Sequence, residues 1–173
     1  MQSNHEIKAK ISSAIETLTA LQMQLADTVP ATPAKYVTAY DCYNRFGDPS
    51  KESAMVLWDV PSNLEIGMVP KKLYCNRLMI EPLTKAFQNL IDRGLINQLK
   101  TWDGCFNIRK TKGGSTYSLH SWGVAIDVNA TWNGYNKAPT MSAEFVSCFV
   151  DAGFHWGGEW KTPDGMHFQL ATI

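Results

Sequence analysis

An α+β fold with an antiparallel sheet follows from three features of this 173-residue sequence. Helix-like stripes and strand-like alternation are segregated along the chain, whereas a parallel sheet would interleave them. The later strand-like runs keep their polar residues on one face, as half-covered antiparallel strands do. Hydrophobic residues at 45% and charged residues at 18% suit a single core of ordinary size.

Charge and cysteine usage exclude several classes. Lys plus Arg and Asp plus Glu are 16 each, so no polyanion such as nucleic acid is implied as a partner. Four cysteines, Cys42, Cys75, Cys105 and Cys148, are spread without a CxxC and read as free buried thiols. No run approaches the ~20 apolar residues of a membrane span. The first thirty residues lack the apolar stretch of a secretory signal, so synthesis in a cytoplasm without export by that route is expected.

The elements follow in order. Ile7, Ile11, Ala14, Leu18, Leu21 and Leu25 form a helical stripe over residues 5–27. Such a helix packs on its own domain, or serves self-association or docking on a partner. Pro30 and Pro33 break it, dividing the chain into residues 1–35 and a domain of 36–173. Residues 36–75 read as irregular, with short strands at 55–58 and around Met68. Asn76 caps a helix running to about Asp92, whose stripe is Leu78, Met79, Pro82, Leu83, Ala86, Phe87, Leu90 and Ile91. Strands are expected at 104–109, 123–129 and 166–170. A helix over 142–151, capped by Ser142 and closed by Gly153, separates the last two.

Strand phase gathers the chemistry. A period of two puts Gly123, Ala125, Asp127 and Asn129 on one face of the middle strand and Val124, Ile126 and Val128 on the other. In "GMHFQL", Met166, Phe168 and Leu170 turn inward, leaving His167 and Gln169 opposite. In "CFNIR", Phe106 and Ile108 turn inward while Cys105, Asn107 and Arg109 turn out. Arg109, Asp127 and His167 then share a polar face, and His120 lies just before it. Small residues beside Asp127 leave room for an ion and a substrate. Two imidazoles and a carboxylate suit Zn²⁺ with a fourth position left open. Iron held by two His and a carboxylate is the weaker alternative, because that arrangement belongs to jelly rolls with more strands. Asp164, three residues before His167, can lie over the ion as a general base without ligating it; Glu159 is the rival. His5 and His155 read as non-ligands. Trp122, Trp156 and Trp160 either fill a core or line a groove.

These residues also carry a resemblance. "SLHSWGVAID" fits S-x-H-x-x-G-x-A-x-D, and "DGMHF" fits the (D/E)-x-x-H that closes the site. The chain resembles the zinc D-alanyl-D-alanine carboxypeptidase and L-alanyl-D-glutamate endopeptidase family, which includes phage endolysins and shares its fold with the Hedgehog signalling domain. The resemblance implies a Hedgehog/DD-peptidase-like sheet with flanking helices, His120, Asp127 and His167 as zinc ligands, and Asp164 as base. It places Arg109 as the residue that steadies substrate or oxyanion. Ser118, Trp122 and Trp156, which lie in or near the motifs in sequence, are candidate substrate contacts. The implied substrate is the bacterial peptidoglycan stem peptide. "NIRKTKGGSTYSLHSWG" and "GFHWGGEW" look most like a phage or prophage branch. A lysin of that kind waits in the host cytoplasm until lysis or travels in a virion. A cytoplasmic D,D-peptidase has the same chemistry. A non-catalytic wall-binding module is the alternative from another class, and it would be expected to have lost the base or a ligand.

Overall fold

The computed structural model describes residues 10, 11, 13–15, 17, 18 and 36–173. The chain divides into two compact units, residues 1–35 and 36–173. In the first, the described residues are helical and exposed, Ile11, Ile15 and Leu18 among them. The rest of the expected amphipathic helix, with Ile7, Leu21 and Leu25, lies outside the described residues.

The second unit is α+β. Helix α1 (Ala39–Phe46) precedes the hairpin of β1 (Met55–Asp59) and β2 (Lys72–Asn76). Helix α2 (Ile80–Asp92) leads to β3 (Trp102–Gly104), and a 3₁₀ turn at Leu119–Trp122 introduces β4 (Ala125–Val128). Then come the short α3 (Ala130–Asn133), α4 (Ala143–Val150), β5 (Phe154–Trp156) and β6 (His167–Leu170). The main sheet is antiparallel in the order β3-β4-β6-β5.

Burial explains this layering. Leu83, Ala86, Phe87 and Leu90 recur at helical spacing along α2 and are wholly buried. Phe145 and Phe149 of α4 meet the sheet, where the Phe149 ring lies 4.5 Å from Phe168 and 6.0 Å from Phe154. Ile126, Val128, Phe168 and Leu170 form the sheet's core face, as their alternation requires. The opposite face of β4 and β6 is therefore left for Asp127, His167 and Gln169.

Several expectations need correction. Helix α1 falls in a stretch read as irregular. Its start is a capping box, in which the Thr38 hydroxyl accepts from the Asp41 amide and the Asp41 carboxylate accepts from the Thr38 amide. No strand forms at Met68; β2 lies instead at Lys72–Asn76, where Leu73 and Cys75 turn inward. Asn76 caps a 3₁₀ turn, Arg77–Met79, that runs on into α2. The strand expected at 104–109 stops at Gly104, whose φ of 129° and a register shift reset the phase. Beyond it Cys105 is buried at 6% exposure and Ile108 is exposed at 41%, the reverse of the expected alternation.

Gly123 is small for a reason other than room beside Asp127. It ends the 3₁₀ turn in the left-handed region at φ 61°. A Cβ there would lie 2.6 Å from the Met55 methyl and 2.9 Å from the Asn76 amide nitrogen. Close packing on the hairpin demands glycine.

Candidate metal centre

The register of the sheet builds the centre. Asp127 of β4 and His167 of β6 are direct cross-strand partners, so their side chains project from one face side by side. His120 reaches the same point from the 3₁₀ turn Leu119–Trp122. His120 Nε2, His167 Nδ1 and Asp127 Oδ1 form a triangle with every edge 3.2 Å. A tetrahedral ion with bonds of ~2.0–2.1 Å holds its ligand atoms roughly 3.3 Å apart, so the triangle has the size of one tetrahedral face.

The second nitrogen of each ring fixes its tautomer. His120 Nδ1 lies 2.7 Å from the Cys105 carbonyl, to which it donates. His167 Nε2 lies 3.3 Å from Gln169 Oε1. Both lone pairs consequently point at the Asp127 carboxylate, with three electron-pair donors converging in a buried place. That arrangement calls for a cation. Burial works to raise the Asp127 carboxyl, whereas donated hydrogen bonds and positive charge at the His120 and His167 positions hold it well below the usual range, a role that passes to the cation when both rings turn lone pairs inward.

Asp164 lies beside the triangle and outside it. Among the described residues nothing donates to its buried Oδ1. Burial, followed by the nearby Asp127 charge, pushes this carboxyl above its usual range despite the attraction of His167, His120 and Arg109. An unpartnered buried carboxylate oxygen is costly and is kept where something else is to bind it.

The Asp164 loop is tightly anchored. The Asp164 amide donates to the Gly157 carbonyl at 2.9 Å, and the His167 amide donates to the Asp164 carbonyl at 3.1 Å. Trp156 Nε1 donates to the Gly165 carbonyl at 2.8 Å while its ring stacks on Phe168. Trp156 therefore clamps the turn that carries Asp164. A Cβ on Gly158 would lie 2.2 Å from the Trp156 ring. Gly158→Ala is expected to cost about 1–3 kcal/mol through overpacking, measured by thermal melting, with a parallel loss of turnover as the clamp shifts.

The other expected residues fall in different places. Ser118 is buried and lines the main groove. Arg109 sits on the loop after β3, exposed, and still borders the centre. Trp122 is at 4% exposure; its ring packs on Tyr117 and its Nε1 donates to the Gly47 carbonyl, so it lies in the core and not in the groove. Trp160 does line the groove, and its Nε1 donates to His155 Nε2. Glu159 is exposed and does not line the groove. All four cysteines are free and buried, as expected, and burial pushes Cys42 up to about 12 and Cys75 to about 11.

Space surrounds the triangle on two sides. A groove of about 770 Å³ is lined by His167, Asp164, Trp160, Tyr135 and the cations Lys112 and Lys137. A smaller hollow of about 160 Å³ is lined by His120, Asp127, Asp103 and Asn107. Arg109 borders both. No helix among the described residues is long and apolar enough to cross a membrane.

A buried cluster of three potential ligand atoms beside a free carboxylate and an open cleft could hold a metal ion within reach of a substrate. Residues 111–170 match the protein family described as D-alanyl-D-alanine carboxypeptidase, a stretch holding His120, Asp127, Asp164 and His167. The match supports a relation to that family and, with it, a peptidase that acts on peptidoglycan. No curated protein and no solved structure matches the chain.

Proposed function

We propose that the protein is a zinc metallopeptidase that hydrolyses an amide of the peptidoglycan stem peptide, with the L-Ala–D-Glu bond as its target. The observation that carries this reading is the His120–Asp127–His167 triangle with the unpartnered Asp164 oxygen beside it. Two nitrogens and one carboxylate oxygen favour zinc over the hard, oxygen-seeking cations. Held there, zinc supplies a Lewis acid for the scissile carbonyl and makes water acidic near neutral pH. Asp164 takes the proton of the attacking water and passes it to the departing nitrogen. Arg109 holds a substrate carboxylate or the developing oxyanion. Lys112 and Lys137 give the larger groove a positive rim suited to a peptide rich in carboxylates.

The cleft favours an internal bond. Space continues on the His167 side and on the His120 side of the triangle, so chain can extend from both sides of the scissile amide. A carboxypeptidase or dipeptidase needs one side closed around a chain end. The non-catalytic alternative is disfavoured because every ligand and the base are present. The phage or prophage role rests on the resemblance of the motif regions, and on that reading the enzyme is held in the host cytoplasm until lysis.

Mass spectrometry of muropeptides from digested sacculi tests the reading. New termini at L-Ala and D-Glu are expected. Release of D-Ala alone would replace the endopeptidase with a carboxypeptidase, and intact muropeptides would leave only a binding module.

A further inference from the structure

The buried face that carries His167 carries one more polar side chain. Gln169, two residues along β6, is at 3% exposure and makes two hydrogen bonds. Its Nε2 donates to the Val37 carbonyl at 3.1 Å, and its Oε1 lies 3.3 Å from His167 Nε2. Val37 belongs to the segment just before α1; it, Thr38 and the first helical residue, Ala39, form part of the groove wall.

A carboxamide has a donor end and an acceptor end, and its orientation follows from its neighbours. The Val37 carbonyl can only accept, so it takes the NH₂ end of Gln169. The oxygen end must then face His167. That oxygen can only accept, so His167 carries its proton on Nε2 and leaves the Nδ1 lone pair for the ion. One backbone carbonyl at the start of the domain thereby selects the tautomer of a ligand on its last strand.

We propose that Gln169 is a positioning residue of the metal centre, holding His167 in the Nδ1-ligating tautomer through the relay Val37–Gln169–His167. This rests on the metal-centre reading above. Outer partners of ligating histidines are typically worth about 10–100-fold in metal affinity.

The test uses the full-length chain and Zn²⁺ alone, titrated against a chelating indicator. Gln169→Met keeps the volume and removes the acceptor; it is expected to weaken zinc binding about 10–100-fold. Gln169→Glu offers an acceptor oxygen from either end and needs no Val37 carbonyl to orient it. It is expected to bind zinc within about threefold of the wild type, a rescue that a packing role would not give. Melting of the metal-free variants checks that they fold. If Gln169→Met does not fold, the imidazole ¹⁵N shifts of zinc-loaded wild type decide, with Nε2 protonated and Nδ1 metal-bound expected for His167. A Met variant that binds like wild type, a folded Glu variant as weak as Met, or the opposite tautomer overturns the relay alone. Wild type that binds no zinc overturns the metal centre and the relay together.

Discussion

Replacing Asp164 with asparagine is expected to lower kcat by roughly 10²–10⁴ while leaving the metal in place. The substitution preserves shape and touches none of the three ligand atoms, but an amide cannot accept the proton. The same variant should be the more stable one when free of metal. A carboxyl whose folded pKa is raised binds its proton more tightly in the folded state. Its contribution therefore favours the fold at low pH and opposes it as pH rises through the folded pKa. Above the folded pKa the full cost is present, and asparagine removes the charge that incurs it. A higher melting temperature for metal-free Asp164→Asn than for metal-free wild type is expected, with zinc content unchanged on loading. Normal turnover in this variant would eliminate Asp164 as the base and promote Glu159; loss of zinc would make Asp164 a ligand.

His167→Ala should behave in the opposite way, losing zinc and activity together. Only His120 and Asp127 remain, and two ligands hold the ion poorly. Turnover should fall to background, and the bound-zinc stoichiometry should drop from one per chain toward zero on metal analysis. Stability gained from metal in the wild type disappears as well, because the ion binds the folded centre and not the unfolded chain. Stoichiometric zinc in folded His167→Ala would show that the triangle is not the ligand set. Stoichiometric iron in wild type purified without added metal would point to the other chemistry.

The centre was legible in the sequence because β4 and β6 are regular. Alternation alone places Asp127 and His167 on one face, and the register confirms them as neighbours. Asp164 could be read from its spacing to His167, since only Gly165 and Met166 separate them. Where regularity stops, reading stops too. The phase of Cys105–Arg109 is lost at Gly104, because periodicity carries no information across a bulge. The inward turn of Cys105 serves its carbonyl, which orients His120, and no side-chain pattern reports on a carbonyl. The same blindness hid the Val37 carbonyl behind Gln169. Helix α1 was missed because its stripe is thin, with Cys42 its single buried residue; the Thr38 and Asp41 capping pair was the available signal. Tryptophan type did not separate the clamp at Trp156 from the core residue Trp122 or from Trp160 in the groove.

The candidate ligands and the proposed base are mounted on different kinds of support. Asp127 and His167 stand on paired strands, where inserting one residue would exchange the polar face for the core face. Asp164 stands at the end of a loop that leaves β5 and returns to β6, pinned mainly at Gly157 and Gly165. Exchanges at Glu159, Lys161 and Thr162, away from Trp160 on His167 and from the Pro163 carbonyl bound by Asn136, can therefore reshape what meets the substrate without disturbing the ligand register. An engineer, or natural selection, has a rigid ion holder and a replaceable specificity loop in one short chain, and libraries aimed at a new bond should be confined to that loop.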